Sequence, residues 1–253
     1  MKLLFTIAII QLHILNIFFN CLEQANKTQN SRRYDASVKE VNLDILASDG
    51  IQLKATYYSP AKPGPGILLL HECDMDRKSW TSLATSLANS GIHVLTFDYR
   101  GYGETPANGN FYEHIAADVD SALAKLISQP GVDKKRIAVG GASCGVYNSI
   151  QLAMRNDNIK ALFFLTGPIP QQGVAYIKSH PEMPILAIEN GDEVTWVKEL
   201  DAIIKNSKNP ASTMKAYTNG AHGVPIFKKH PDIITAVTNW FVQVLNVREP
   251  KGA

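Results

Sequence analysis

The chain has 253 residues, 45% of them hydrophobic and 19% charged, a balance that supports one globular domain with its own core and excludes a disordered or fibrous chain. Its formal net charge is only +2, so neither nucleic acid nor an anionic membrane surface is expected as a partner. The three cysteines, Cys21, Cys73 and Cys144, are too few for a disulfide scaffold.

At the start, Lys2 followed by the apolar run Leu3 to Phe19 has the charged and apolar regions of an export signal, predicted over residues 1–21. The run is short for a membrane span, and Gln11, His13 and Asn16 interrupt it. Phe18-Phe19-Asn20-Cys21 resembles a bacterial lipoprotein cleavage site, with Asn20 in place of the usual small residue. A lipid anchor at Cys21 and an ordinary cleaved signal ending nearby are the two readings, and both place the protein in the periplasm or outside the cell. Residues 22–37 form a polar leader without apolar period, in which Asn26-Lys27-Thr28 fits a glycosylation acceptor that a eukaryotic host would use.

The domain is expected over residues 38–250. Val38 to Ile45 and Ile51 to Tyr58 alternate around the turn Asp49-Gly50, which predicts an opening β-hairpin. Solid apolar runs follow at Ile67 to Leu70, His93 to Phe97, Ile137 to Val139, Ala161 to Leu165 and Pro184 to Ile188, with a last strand near Met214 to Tyr217. Such runs suit strands covered on both faces. Helical segments lie between and after them at Trp80 to Asn89, His114 to Ser128, Val146 to Met154, Trp196 to Lys205 and Asp232 to Leu245. Alternation of this kind predicts an α/β fold, a mostly parallel sheet with helices on both faces. Gly167 to Met183 is the one segment that could form a small cap, and it is too short for a large lid.

Gly141-Ala142-Ser143-Cys144-Gly145 stands between a strand and a helix, the context that G-x-S-x-G requires. On so sharp a turn, side chains two positions either side of the nucleophile collide, so both sites favour glycine. The rule selects Ser143. Cys144, the rival nucleophile, has Ala142 and Val146 at those positions. A plain glycine-rich turn with an incidental serine is the bland alternative.

A serine needs a base and an orienting acid, in the chain order serine, acid, histidine. His222 lies in the glycine-flanked loop after the last strand; the remaining histidines lack that order and context. Asp192, in the turn Asn190-Gly191-Asp192-Glu193, is the predicted acid, with Glu193 and Glu189 as alternatives. The oxyanion hole is expected from the backbone amides of Cys144, after the nucleophile, and Cys73, in the loop after the third strand. Glu72 beside it is a candidate support for the site or a solvated loop carboxylate.

The strand ending in His71-Glu72, the turn Asp98-Tyr99-Arg100-Gly101-Tyr102-Gly103, the elbow at Ser143, the loop at Asp192 and the loop at His222 together resemble the α/β-hydrolase superfamily. Within it they are most similar to the dienelactone hydrolase-like group, with a serine where dienelactone hydrolases carry cysteine. The resemblance implies hydrolysis of an ester, lactone or similar acyl bond of a small-molecule substrate through an acyl-enzyme, without metal or organic cofactor. A serine peptidase and a catalytically silent binding protein on the same fold are the other readings. The turn at Asp98 reads as a chain reversal and stays outside the catalytic set. If Cys73 and Cys144 both serve the oxyanion hole, their backbones converge, and a disulfide between them, given a Cα separation in the usual range, and two small, partly buried free thiols are the two readings that stay open.

Overall fold

The alternating segment after residue 38 forms the expected hairpin. Strands β1 (Lys39–Leu46) and β2 (Gln52–Ser59) pair antiparallel without a break, from Lys39 opposite Ser59 to Leu46 opposite Gln52. The computed structural model describes residues 38–107 and 109–247, so the export signal, the polar leader and Cys21 lie outside the described residues. The chain continues through β3 (Gly64–Leu70), a short 3-10 turn at Arg77–Trp80, α1 (Thr81–Asn89), β4 (His93–Phe97), α2 (Phe111–Ile127), β5 (Val132–Ala142) and α3 (Cys144–Met154). It then runs through β6 (Ile159–Leu165), α4 (Gln171–Ser179), β7 (Ile185–Asn190), α5 (Val194–Lys205), β8 (Thr213–Tyr217), the single turn α6 (Ile226–Lys229) and α7 (Asp232–Val244).

These strands form one open sheet in the order β1-β2-β4-β3-β5-β6-β7-β8. Only β2 runs against its neighbours; β4, β3, β5, β6, β7 and β8 pair in parallel. Parallel strands need covering on both faces, and the side-chain alternation supplies two apolar surfaces. Leu68, Leu70, Val139, Leu162, Phe164 and Ala187 pack with residues of α2, α3, α4 and α5, among them Leu123, Ile150, Ile177 and Leu200. Ile67, Leu69, Ala138, Phe163, Leu165 and Ile188 face the other way, against Leu83 and Leu87 of α1 and Val237 and Phe241 of α7.

The crossover through α1 carries the chain to one side of β3, and the crossover through α2 carries it to the other side, so the direction of winding changes between β3 and β5. Loops leaving these two strands part in opposite directions and open a crevice at their carboxyl ends, where α/β sheets gather ligand groups. Leu70 pairs with Gly141 across this boundary. Cys73 and Cys144 each stand three residues further on, so the strand register alone carries both into the crevice.

The structure extends the expected elements in two places. Strand β5 starts at Val132 instead of Ile137, because Gly64 of β3 pairs with Val132; the exposed Lys134 and Lys135 hide that pairing from an apolar pattern. Within the segment expected as a cap, α4 buries Ile177 against the sheet and is simply another covering helix.

The turn after β4 is tied down by buried charge. The Arg100 guanidinium makes a two-pronged contact with Asp118 of α2, at 2.6 and 2.8 Å, and another with Asp49 of the β1–β2 turn, at 2.5 and 2.8 Å. Both Arg100 and Asp118 are almost wholly buried. Asp98, fully buried, accepts from the backbone of Arg77 at 2.8 Å and of Glu104 at 2.8 Å as well as from the Arg77 guanidinium. Removing one member of a buried pair strands the other. Arg100→Met is expected to cost about 3–5 kcal/mol in urea unfolding, whereas Asp44→Ala, which breaks the exposed pair with Lys54, should cost less than about 1 kcal/mol.

Candidate active site

Ser143 occupies the single residue between β5 and α3, at φ 51° and ψ −117°, a conformation that costs any residue with a Cβ. Two bonds hold it there: its N–H donates to Leu165 O at 3.1 Å, and its carbonyl accepts from Val146 N at 2.9 Å. The chain folds so tightly that a Cβ on Gly141 would lie 2.0 Å from Gly145 O, and one on Gly145 would lie 2.2 Å from Leu70 O. Both glycines of the motif are therefore required by contact between backbones. Ala142 and Val146, the corresponding neighbours of Cys144, are ordinary buried core residues.

Ser143 and His222 meet across 79 positions of sequence, with Oγ 2.7 Å from Nε2. On the far side of the ring, His222 Nδ1 lies 2.7 Å from Oε1 of Glu193. The carboxylate on His222 is therefore Glu193, which corrects the expectation of Asp192. Turn geometry explains the difference: Glu193 N donates to Asn190 O at 3.0 Å, closing a turn in which Asp192 is the apex and Glu193 the returning residue. The apex side chain is exposed, while Glu193 is 19% exposed and points back toward the histidine. The third carboxylate weighed, Glu189, is fully buried at the end of β7 and bonds to no histidine.

The loop carrying His222 is fastened on both of the next two residues. Gly223 N donates to Thr166 Oγ1, at the end of β6, and Val224 N donates to Glu72 Oε1 at 3.1 Å. Gly223 has φ +69°, and a Cβ there would sit 1.4 Å from Glu72 Oε2, so the carboxylate lies flat against the glycine. Glu72, only 2% exposed, thus supports the histidine loop. Burial pushes its carboxyl up to about 7, with the Val224 amide acting the other way. Thr166 was not singled out in the sequence; its only mark there is its place directly after the apolar run of β6.

Cys73 and Cys144 are joined by a disulfide, with Cα atoms 5.8 Å apart. Cys144 is the first residue of α3, where a backbone N–H has no partner within the helix. At Cys73 the peptide plane is set from behind: Glu72 O accepts from His71 Nδ1 at 2.6 Å and from Met75 N at 3.2 Å. In a trans peptide the Cys73 N–H points the opposite way from that carbonyl, and among the described residues it donates to no backbone acceptor. Tyr99 N donates to His71 Nε2 at 3.0 Å, which assigns the proton of His71 to Nδ1, and burial lowers its pKa, so the ring stays neutral. Two unspent amides joined through sulfur, beside an oxygen bonded to a histidine, can polarise a carbonyl and receive the charge that develops on it. Among the described residues, no group of three or more His, Cys, Asp or Glu side chains could hold a metal ion.

Residues 62–187 match the family described as serine aminopeptidase, S33. An uncharacterized protein of Mycobacterium tuberculosis is 30% identical over 154 residues, 59% of this chain and 54% of that protein. The alpha/beta hydrolase domain-containing protein aho-3 of Caenorhabditis elegans is 34% identical over 169 residues, 65% of this chain and 48% of that protein. The chain spans about half the length of these curated relatives. Among solved structures, an esterase of Pyrococcus furiosus superposes with a TM-score of 0.67 at 17% identity, covering 83% of this chain and 95% of the esterase. A dienelactone hydrolase-like promiscuous phosphotriesterase from metagenomic libraries gives 0.65 at 15% identity, covering 83% and 99%. These likenesses identify the fold.

Two outcomes follow for the isolated protein. In the unfolded chain Cys73 and Cys144 should titrate as thiols only after reduction, and Cys73→Ala should lose about 2–4 kcal/mol of stability. Burial raises the carboxyls of Glu72 to about 7 and Glu189 to about 8. The folded state then holds protons that the unfolded chain releases from about pH 4.5 upward. Their contribution is complete below that value and is lost as the pH rises through 7 and 8. Urea unfolding should therefore show a less stable protein at pH 8.5 than at pH 5.5, by an amount that Glu189→Gln reduces.

Proposed function

We propose that this chain, which belongs to the α/β-hydrolase superfamily, is a serine hydrolase that cleaves a carboxylic ester or lactone through an acyl-enzyme. The observation that carries the reading is the unbroken line from Ser143 Oγ to His222 Nε2 and from His222 Nδ1 to Glu193 Oε1, each contact 2.7 Å. In this reading Ser143 Oγ attacks the acyl carbon while His222 takes its proton, and Glu193 stabilises the imidazolium that forms. The amides of Cys73 and Cys144 bind the oxyanion of the tetrahedral intermediate. His222 then protonates the departing alcohol, and a water molecule repeats the sequence on the acyl-enzyme.

The segment between β6 and β7 holds one nine-residue helix, α4, so the reading favours a small or medium acyl substrate over one that needs a large lid. The disulfide suits an oxidising compartment, which agrees with an export signal over residues 1–21. Amide hydrolysis is the second reading, favoured by the match to the serine aminopeptidase family over residues 62–187.

Incubation with a fluorophosphonate, short p-nitrophenyl esters and aminoacyl p-nitroanilides separates these possibilities. Wild type should be labelled and should turn over esters faster than anilides, and Ser143→Ala should lose both labelling and turnover. Turnover persisting in Ser143→Ala would overturn Ser143 as the nucleophile, and an unlabelled, inactive wild type would leave a binding protein. Glu193→Gln should lower kcat roughly a hundred- to ten-thousandfold, while Asp192→Asn should stay close to wild type.

A further inference from the structure

Three consecutive residues at the end of β6 touch each of the segments that carry the triad. Leu165 lies between Ala142 of β5 and Ile188 of β7, and its carbonyl accepts from Ser143 N at 3.1 Å. Thr166 N donates to Ile188 O at 2.8 Å, on the strand that leads to Glu193, and Thr166 Oγ1 accepts from the N–H of Gly223, the residue after His222. Gly167 passes so close to the nucleophile that a Cβ there would lie 2.9 Å from Ser143 O. The middle residue is the unusual one. Thr166 is β-branched, fully buried and held at φ 45°, a region that such residues avoid and glycine enters freely. Alternation along β6 explains what this conformation achieves. An extended residue after Leu165 would face the same way as Phe164, under α3 and α4, whereas Val224 and Ile226, which follow His222, belong to the opposite face. The left-handed turn brings the hydroxyl to Gly223 across that divide.

We propose that Thr166 is a positioning residue, whose hydroxyl sets the placement of His222 against Ser143 by holding the amide of Gly223. This role presupposes the triad reading above. Gly223 is buried, so its N–H depends on a protein acceptor. His222 itself is exposed and is held at its ring by Ser143 Oγ and Glu193 Oε1, so its alignment is inherited from the backbone beside it. Val224, one residue further on, stays bonded to Glu72 Oε1 at 3.1 Å, which keeps the loop attached to the fold when the hydroxyl is removed. Loss of Thr166 Oγ1 therefore shifts the base relative to the nucleophile without releasing the loop. A threonine kept where glycine would relieve the strain marks the hydroxyl as the group required there.

Amide hydrogen exchange and steady-state kinetics on the intact wild type, Thr166→Ser, Thr166→Val and Thr166→Gly test this. Serine keeps the acceptor and valine keeps the shape without it; glycine removes acceptor and strain together and carries the comparison where valine does not fold. The Gly223 amide should exchange at least about tenfold faster in Thr166→Val and Thr166→Gly than in wild type and Thr166→Ser. On p-nitrophenyl butyrate, kcat should fall at least about tenfold in the valine and glycine variants with KM unchanged, because a small misplacement of the base is felt in the transition state. Thr166→Ser should stay within about threefold of wild type. Wild-type kcat in the valine and glycine variants, a loss in Thr166→Ser as deep as theirs, or unchanged exchange at Gly223 would overturn the proposal. Should the wild type neither hydrolyse esters nor react with fluorophosphonate, the triad reading fails by itself, and exchange at Gly223 still decides whether the hydroxyl holds the histidine loop.

Discussion

Contact between two stretches of backbone governs this molecule. Gly141 meets Gly145, and Gly145 meets the carbonyl of Leu70, so β3, β5 and the start of α3 are closer together than side chains would permit. Ser143 is held at its strained φ by that closure, and the strain is balanced by the sheet beneath it. The same approach brings the loop after β3 against the first turn of α3. The strained turn at Ser143, the placement of the Cys73 and Cys144 amides and the disulfide are thus all consequences of one crossing.

The opposite wall of the site is built from acids in unlike surroundings. Glu193 is partly exposed and bonded to His222; Glu72 is buried and spent on the amide after Gly223; Glu189 is buried with no bonded partner among the described residues. Position on the turn and depth in the sheet, more than residue type, separate their chemistry. Thr166 completes the wall by fastening Gly223, so the histidine loop is held to both β6 and the loop after β3.

Much of this was legible beforehand because it depends on short-range rules. Alternation marked the hairpin, solid apolar runs marked the central strands, and the spacing of Gly141 and Gly145 chose Ser143 over Cys144. The pairing of Cys73 with Cys144 was one of two readings that the sequence left open, and the Cα separation of 5.8 Å decides for it. The acid was misplaced by one residue because Asp192 and Glu193 are chemically alike and differ only in their phase on a turn. Thr166 escaped notice because its partner is 57 positions away. The first residues of β5 were missed because their polar side chains conceal a strand whose pairing is decided by Gly64.

The disulfide gives the site a dependence on the history of the sample. Its sulfurs belong to the very residues whose amides face the crevice, so oxidation acts on the placement of those amides as well as on the stability of the fold. Chains of identical sequence, one matured in an oxidising compartment and one made in a reducing cytosol, would not present the same crevice to a substrate. Activity per milligram would then report how the protein was prepared as much as what it is.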